Sequence, residues 1–303
     1  MVNLSKETTI SLRKHEDSFQ QVVSLLKLNG IIARVVMVLD ISGSMRNQYS
    51  DSTVDEILLR AFAVARKFDD NQCLDSYIFS NDFVRLPEIS VHNLEGYIKR
   101  EILYKFKGKY YDFLSKEKQY LQHELKQIEE SLKPKSGFFG FGKSKEQISA
   151  TEKERLLQEK QKVEDDLNLL QDSKLDKRMQ IFGDNNEPRV MTDIVQRYTV
   201  EEPSDLPTYV FFVSDGGVSQ NEDIRRIVRD SSDKPIFWQF VGSGLSNYGA
   251  LEELDNLSGR VVDNANFFAI DDLNQISDEE LYERMFVEFP IWIKEAKQKG
   301  ILK

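Results

Sequence analysis

Three short runs along the chain are apolar with almost no polar alternation: residues 35–39 (VVMVL), 209–213 (YVFFV) and 235–241 (PIFWQFV). Strands that are apolar on both faces are buried on both faces, as in the middle of a parallel sheet. Helical patterns separate these runs. Residues 53–68 place Val54, Ile57, Leu58, Ala61, Phe62 and Ala65 on one face, with Ser52 or Thr53 as the N-cap and Glu56 completing a capping box. Residues 221–229 and 248–254 read as further helices, and 277–299 as one closing helix kinked by Pro290. Residues 74–79 read as a strand, 83–86 as a returning edge strand, and 261–262 with 267–270 as a late strand or strand pair. This alternation predicts a doubly wound, mostly parallel, Rossmann-like α/β sheet.

The alternation is interrupted once. Residues 93–132 read as one long charged helix, with Leu114, Leu121, Leu125, Ile128 and Leu132 at heptad spacing. A break follows at 134–144 (PKSGFFGFGKS). A second helix is predicted over 145–179, striped by Ile148, Leu156, Val163, Leu167 and Leu170. Two such helices and a glycine-rich hinge predict an antiparallel hairpin. Helices of about 35 residues would carry it roughly 50 Å outward. The stripes are most simply the arm's own seam, and otherwise a surface for another chain. Residues 105–184 are therefore read as an inserted coiled-coil arm, 31–104 and 185–303 as the α/β domain, and 1–30 as an N-terminal extension. A short helix is expected at 19–28, stopped by Asn29 and Gly30.

Composition narrows the function. The chain has 303 residues, 40% hydrophobic and 30% charged, with a net charge of −10. That balance argues against nucleic acid, whose phosphates call for a basic face. The single cysteine, Cys73, leaves no intrachain disulfide or multi-cysteine zinc site and reads as a buried reduced thiol. No stretch approaches the ~20 apolar residues of a membrane span. The polar opening residues lack a signal-peptide core, so a cytoplasmic location is expected.

Candidate chemistry gathers at the end of the first apolar run. Asp40, Ser42 and Ser44 set a carboxylate and two hydroxyls on one tight loop, at the strand end where open α/β sheets carry their sites. Three hard oxygens suit Mg²⁺, Mn²⁺ or Ca²⁺ rather than zinc. A bound cation would also let an acidic protein receive an acidic ligand. The same residues suit an Asx/Ser turn that caps the next helix. Other chemistries lack their residues. Ser42 stands where an aspartyl phosphohydrolase has its second acid, and there is no P-loop, complete dinucleotide turn or nucleophile elbow. His15, His92 and His123 fall on different elements and read as surface residues. The chain is expected not to be an enzyme. The alternatives are a Mg²⁺-dependent phosphotransfer enzyme acting through Asp40 and a coiled-coil scaffold with an inert α/β domain. Phe138, Phe139 and Phe141 crowd the hinge among Lys133, Lys135, Lys143 and Lys145. They read either as a contact, in a partner groove or on an anionic membrane surface, or as a staple closing the hairpin.

The string DISGSM, with Asp40, Ser42, Gly43, Ser44 and Met45, resembles the metal-ion-dependent adhesion site of von Willebrand factor A domains. FDD at 68–70, NLEGYIKRE at 93–101 and EFPIWIKEAKQKGIL at 288–302 resemble the tellurium-resistance branch of those domains. VNLSKETTISL resembles the opening strand of the tellurium-resistance stress domains. The resemblance spans roughly 31–104 and 185–303 and leaves the arm out. It implies a second-loop threonine, matched by Thr192, although Met191 replaces the usual preceding glycine and Thr199 is a substitute. It also implies a strand-end aspartate, matched by Asp215 in FFVSDGG. In such a site Ser42, Ser44 and, in some states, Thr192 touch Mg²⁺ (or Mn²⁺/Ca²⁺), Asp40 and Asp215 hold it largely through water, and a partner's Asp or Glu fills an open position. The function so implied is a metal-dependent protein-binding module in a bacterial stress or tellurium-resistance-like system.

Overall fold

The computed structural model describes residues 4–109, 112–133, 149–172, 175–216, 218, 220–244, 247–270 and 275–303. Its strands are β1 (Arg34–Asp40), β2 (Asp75–Phe79), β3 (Phe83–Arg85), β4 (Phe106–Gly108), β5 (Asp176–Ile181), β6 (Thr208–Ser214), β7 (Ile236–Ser243) and β8 (Ala265–Ile270). Its α-helices are α1 (Lys6–Leu25), α2 (Arg46–Ser50), α3 (Thr53–Phe68), α4 (Phe113–Leu132), α5 (Ala150–Asp172), α6 (Glu187–Gln196), α7 (Asn221–Asp230), α8 (Asp278–Phe286) and α9 (Phe289–Gln298). Six strands form one sheet in the order β3-β2-β1-β6-β7-β8. Every neighbouring pair is parallel except β2 with the edge strand β3. This is the mostly parallel α/β sheet that the apolar runs predict.

The unalternating runs are explained by two cores. Val35, Met37 and Leu39 of β1 enter one, with Tyr209, Phe211 and Val213 of β6. Val36 and Val38 enter the other, with Val210 and Phe212. Helices α1, α3, α8 and α9 cover the first face, and α6 and α7 the second. With β1 and β6 central and covered on both sides, their carboxyl ends come out together at one edge of the sheet. That edge carries the site.

The N-terminal segment is helical where an opening strand was expected. Ser5 caps α1 by accepting from the Thr8 N–H at 3.1 Å. Phe19 of that helix packs against the rings of Phe68, Tyr282 and Phe286 at 5.1, 5.0 and 5.0 Å. Its amphipathic stripe thus closes one side of the core. His15, read as a surface residue, is only 2% exposed because α1 lays it against α3 and α8. Ser52 does not cap α3. It adopts a left-handed backbone (φ 66°), and the Asp51 carboxylate accepts from the Thr53 N–H instead. Cys73 is half-buried rather than buried. The closing helix is two helices, α8 and α9. Pro290 lies in the first turn of α9, where its missing N–H leaves no bond unmade.

Among the described residues the insertion carries two helices packed on each other, shorter than their periodicity implies. The expected first helix divides into a π-helical turn (Ile98–Leu103), β4 and α4. The second ends at Asp172, and Met179 belongs to β5. At 20 and 23 residues, the helices reach about 30–35 Å. Leu121, Ile128, Leu156 and Val163 are buried between them, with Leu125, Leu132, Leu167 and Leu170 alongside. The heptad stripes are therefore the arm's own seam. The hinge, with Ile148, Phe138, Phe139 and Phe141, lies outside the described residues. β4 and β5 pair at the base, where Leu114, Leu169 and Leu170 pack against the main core. Replacing residues 118–165 with a short Gly/Ser linker spares those contacts and should leave one cooperative unfolding transition. A broadened or split transition in circular-dichroism melts would show that the sheet depends on the outer arm.

Candidate metal centre

The site is built on two neighbouring strand ends. β1 delivers Asp40, which is fully buried. Its Oδ1 accepts from the Ser42 N–H at 2.7 Å, closing the tight turn, and its Oδ2 accepts from the Ser214 hydroxyl of β6 at 2.8 Å. Ser42 and Ser44 stand with their hydroxyl oxygens 3.1 Å apart, and Ser44 Oγ donates to Asp215 Oδ1 at 2.8 Å. One linked cluster thus holds Asp40, Ser42, Ser44 and Asp215, four of the five residues expected there. Tyr49 of α2 donates to the Asp40 carbonyl at 3.1 Å, fixing the chain where it leaves the strand.

Thr192 does not join the cluster. It sits in the second turn of α6, and its hydroxyl donates to the Pro188 carbonyl at 2.7 Å. This i−4 bond is the usual local outlet for a threonine inside a helix. Thr199 does the same with the Val195 carbonyl at 2.7 Å. From the second loop it is Asn185 that reaches the site. Its Nδ2 donates to the Gly216 carbonyl at 2.9 Å and to Asp40 Oδ2 at 3.4 Å.

That loop is bound to the loop of Asp40, Ser42 and Ser44 by its backbone. The chain returning from the arm donates from Phe182 N to the Ile41 carbonyl at 2.7 Å and accepts from Gly43 N at the Gly183 carbonyl at 2.9 Å. Gly183 leaves little room for a side chain: a Cβ there would lie 2.9 Å from Ser80 Oγ, the atom that accepts from its own N–H. Phe182 occupies the left-handed region (φ 60°), an unfavourable backbone for a bulky residue. It is held by the rings of Tyr49 and Phe113 at 6.1 and 6.5 Å and by the Arg46 guanidinium at 5.6 Å. The sequence signal for this loop was the polar run GDNN (183–186) after apolar Ile181 and Phe182, which the heptad reading of 145–179 obscured.

The family model described as the vWA found in the TerF C terminus matches residues 32–159 and 147–302. The chain belongs to this vWA-TerF-like family. Among curated proteins, YcbR of Bacillus subtilis (strain 168) is 36% identical over 295 residues, covering 97% of this chain and 90% of YcbR. Similar solved structures include proximal thread matrix protein 1 from the mussel byssus (TM-score 0.40, 11% identity, 84% of this chain) and a von Willebrand factor type A protein from Catenulispora acidiphila (0.39, 11%, 89%). The chain spans less than half the length of each, 46% and 43%.

The electrostatics of this vWA domain fit a hard divalent cation. Burial, and after it the Asp215 charge, pushes Asp40 up to about 7. Burial also raises Asp215. Two carboxylates in one desolvated cluster disfavour each other's ionisation, and a cation between them removes that penalty. Asn185 Oδ1 is a buried oxygen with no hydrogen-bond partner among the described residues. The donor set is oxygen only, which suits Mg²⁺, Mn²⁺ or Ca²⁺.

Proposed function

We propose that this vWA domain is a protein-binding module, not an enzyme, in which a divalent cation held by Asp40, Ser42, Ser44 and Asp215 captures an Asp or Glu of a partner protein. The observation that carries this reading is the linked cluster at the carboxyl ends of β1 and β6. Its two hydroxyls are neutral, so a bound cation keeps much of its charge for an incoming carboxylate. The chain is net negative, at −10; without the ion an acidic partner meets repulsion. With it, the carboxylate displaces water and forms a direct ionic contact in a partly dry crevice, where attraction exceeds that in bulk water. Family membership supports a setting in a bacterial stress or tellurium-resistance-like system. No helix among the described residues is long and apolar enough to cross a membrane.

The test is pull-down from host lysate followed by reconstitution with the captured protein. Capture should vanish in EDTA, return with Mg²⁺, and be absent from Asp40→Ala and from the Ser42→Ala/Ser44→Ala pair. One Asp→Asn or Glu→Gln change on the partner should suffice to abolish it. Binding that persists in EDTA and depends on Phe138, Phe139 and Phe141 would assign recognition to the arm tip.

A further inference from the structure

We propose that Asn185, rather than Thr192, supplies the second-loop oxygen of the metal site, an inference that rests on the metal-binding reading above. The orientation of its amide is fixed by chemistry. Its partners at 2.9 and 3.4 Å are the Gly216 carbonyl and Asp40 Oδ2, both acceptors, so the NH₂ must face them. The carboxamide oxygen is thereby directed away from both. That oxygen is buried and accepts no hydrogen bond among the described residues, an arrangement folded proteins rarely leave uncompensated.

The backbone holds the residue in register. The hydrogen bonds of Phe182 and Gly183 to the metal loop, and of Ser80 Oγ to the Asp184 carbonyl at 2.9 Å, bring the second loop to the first before Asn185 is reached. Thr192 lies seven residues further on, with its hydroxyl engaged inside α6. A carboxamide oxygen is a hard, neutral donor of the kind that Ca²⁺ and Mg²⁺ sites accept. Like the serines, it adds a ligand without neutralising the ion, which preserves attraction for a partner carboxylate.

The experiment is calorimetric titration of the full chain with Mn²⁺. Asn185→Ala should weaken binding by about tenfold or more, whereas Thr192→Ala should stay within about twofold of wild type. Asn185→Asp keeps an oxygen in place and should bind at least as tightly as wild type. If Asn185 served only to anchor Asp40 through its NH₂, Asn185→Asp, which cannot donate, would fall together with Asn185→Ala and overturn the assignment. Unchanged binding by Asn185→Ala would overturn it while leaving the metal site standing. Absence of Mn²⁺ binding by the wild type would remove both. A second readout needs no affinity: pulsed electron paramagnetic resonance of Mn²⁺ bound to protein carrying ¹³C-labelled asparagine should detect a coordinated amide carbon that Asn185→Asp abolishes. No such coupling in the wild type would also overturn the assignment.

Discussion

Excess Mg²⁺ or Mn²⁺ should raise the melting temperature of the wild-type protein and leave that of Asp40→Ala unchanged. A ligand that binds only the folded state stabilises it by RT ln(1 + [L]/Kd), about 2.7 kcal/mol at a hundredfold excess over Kd. Asp40 is central to this gain because its two carboxylate oxygens organise both halves of the centre, Ser42 just after β1 and Ser214 at the end of β6. Removing it takes away a ligand and the turn together. In EDTA the variant should keep a wild-type circular-dichroism spectrum, since the sheet is held by other contacts. An equal metal-induced shift in Asp40→Ala would place the bound ion elsewhere on the molecule.

Asp278→Ala should cost about 3–5 kcal/mol of folding stability, the range for stripping one partner from a buried ion pair. Asp278 is 3% exposed. Its Oδ1 accepts from Arg60 Nε at 2.9 Å, and its Oδ2 lies 2.9 Å from His15 Nδ1. Removing the carboxylate takes a charged partner from a guanidinium that is itself only 7% exposed. The other ring nitrogen of His15 meets Glu56 Oε2 at 3.2 Å, with Ser11 Oγ at 3.3 Å and Lys14 on the solvent side of Asp278 at 3.6 Å. Burial alone would lower His15, but the hydrogen bonds and charges of Asp278 and Glu56 outweigh it and raise the imidazole above its ordinary 6.5. The folded protein therefore holds this proton more tightly than the unfolded chain. The stabilisation from charged His15 is fully present below about pH 6.5 and declines as pH rises through the higher folded value. Urea titrations across that window should show a falling stability that His15→Gln makes shallower, the remainder coming from buried acids such as Asp40, which is pushed up to about 7. A wild-type profile with no such fall, or an Asp278→Ala loss under about 1 kcal/mol, would mean that the network contributes little.

The sheet was legible because its central strands are apolar on both faces, which only a doubly covered strand tolerates. The first loop of the cluster was legible because DISGSM is contiguous. The rest of the site depends on long-range pairing. The polar run GDNN marks a loop at Asn185 but does not place it beside Asp40. It becomes relevant only because Phe182 and Gly183 hydrogen-bond to Ile41 and Gly43 across the whole arm. Thr192 was the position implied by the family resemblance, but the start of α6 at Glu187 makes it an interior helical residue. β5 was hidden because Met179 and Ile181 continued an apolar stripe that helix and strand can share over so short a stretch. His15 looked like a surface residue because α1 was read as an extension. Its burial follows from two elements, α3 and α8, that lie far from it in sequence.

The clasp at the base of the arm also bears on how the chain finds its fold. β1 must pair with β6, bringing Arg34 to Thr208 across the entire insertion, and contacts of such high sequence separation slow folding. Closure entropy grows only logarithmically with loop length, by about 0.6 kcal/mol per doubling. A helical hairpin assembles from neighbouring residues, and once Phe106 lies against Asp176 the connection behaves as a short one. The two halves of the centre, Asp40 and Asp215, are then separated by an effective chain much shorter than the covalent one.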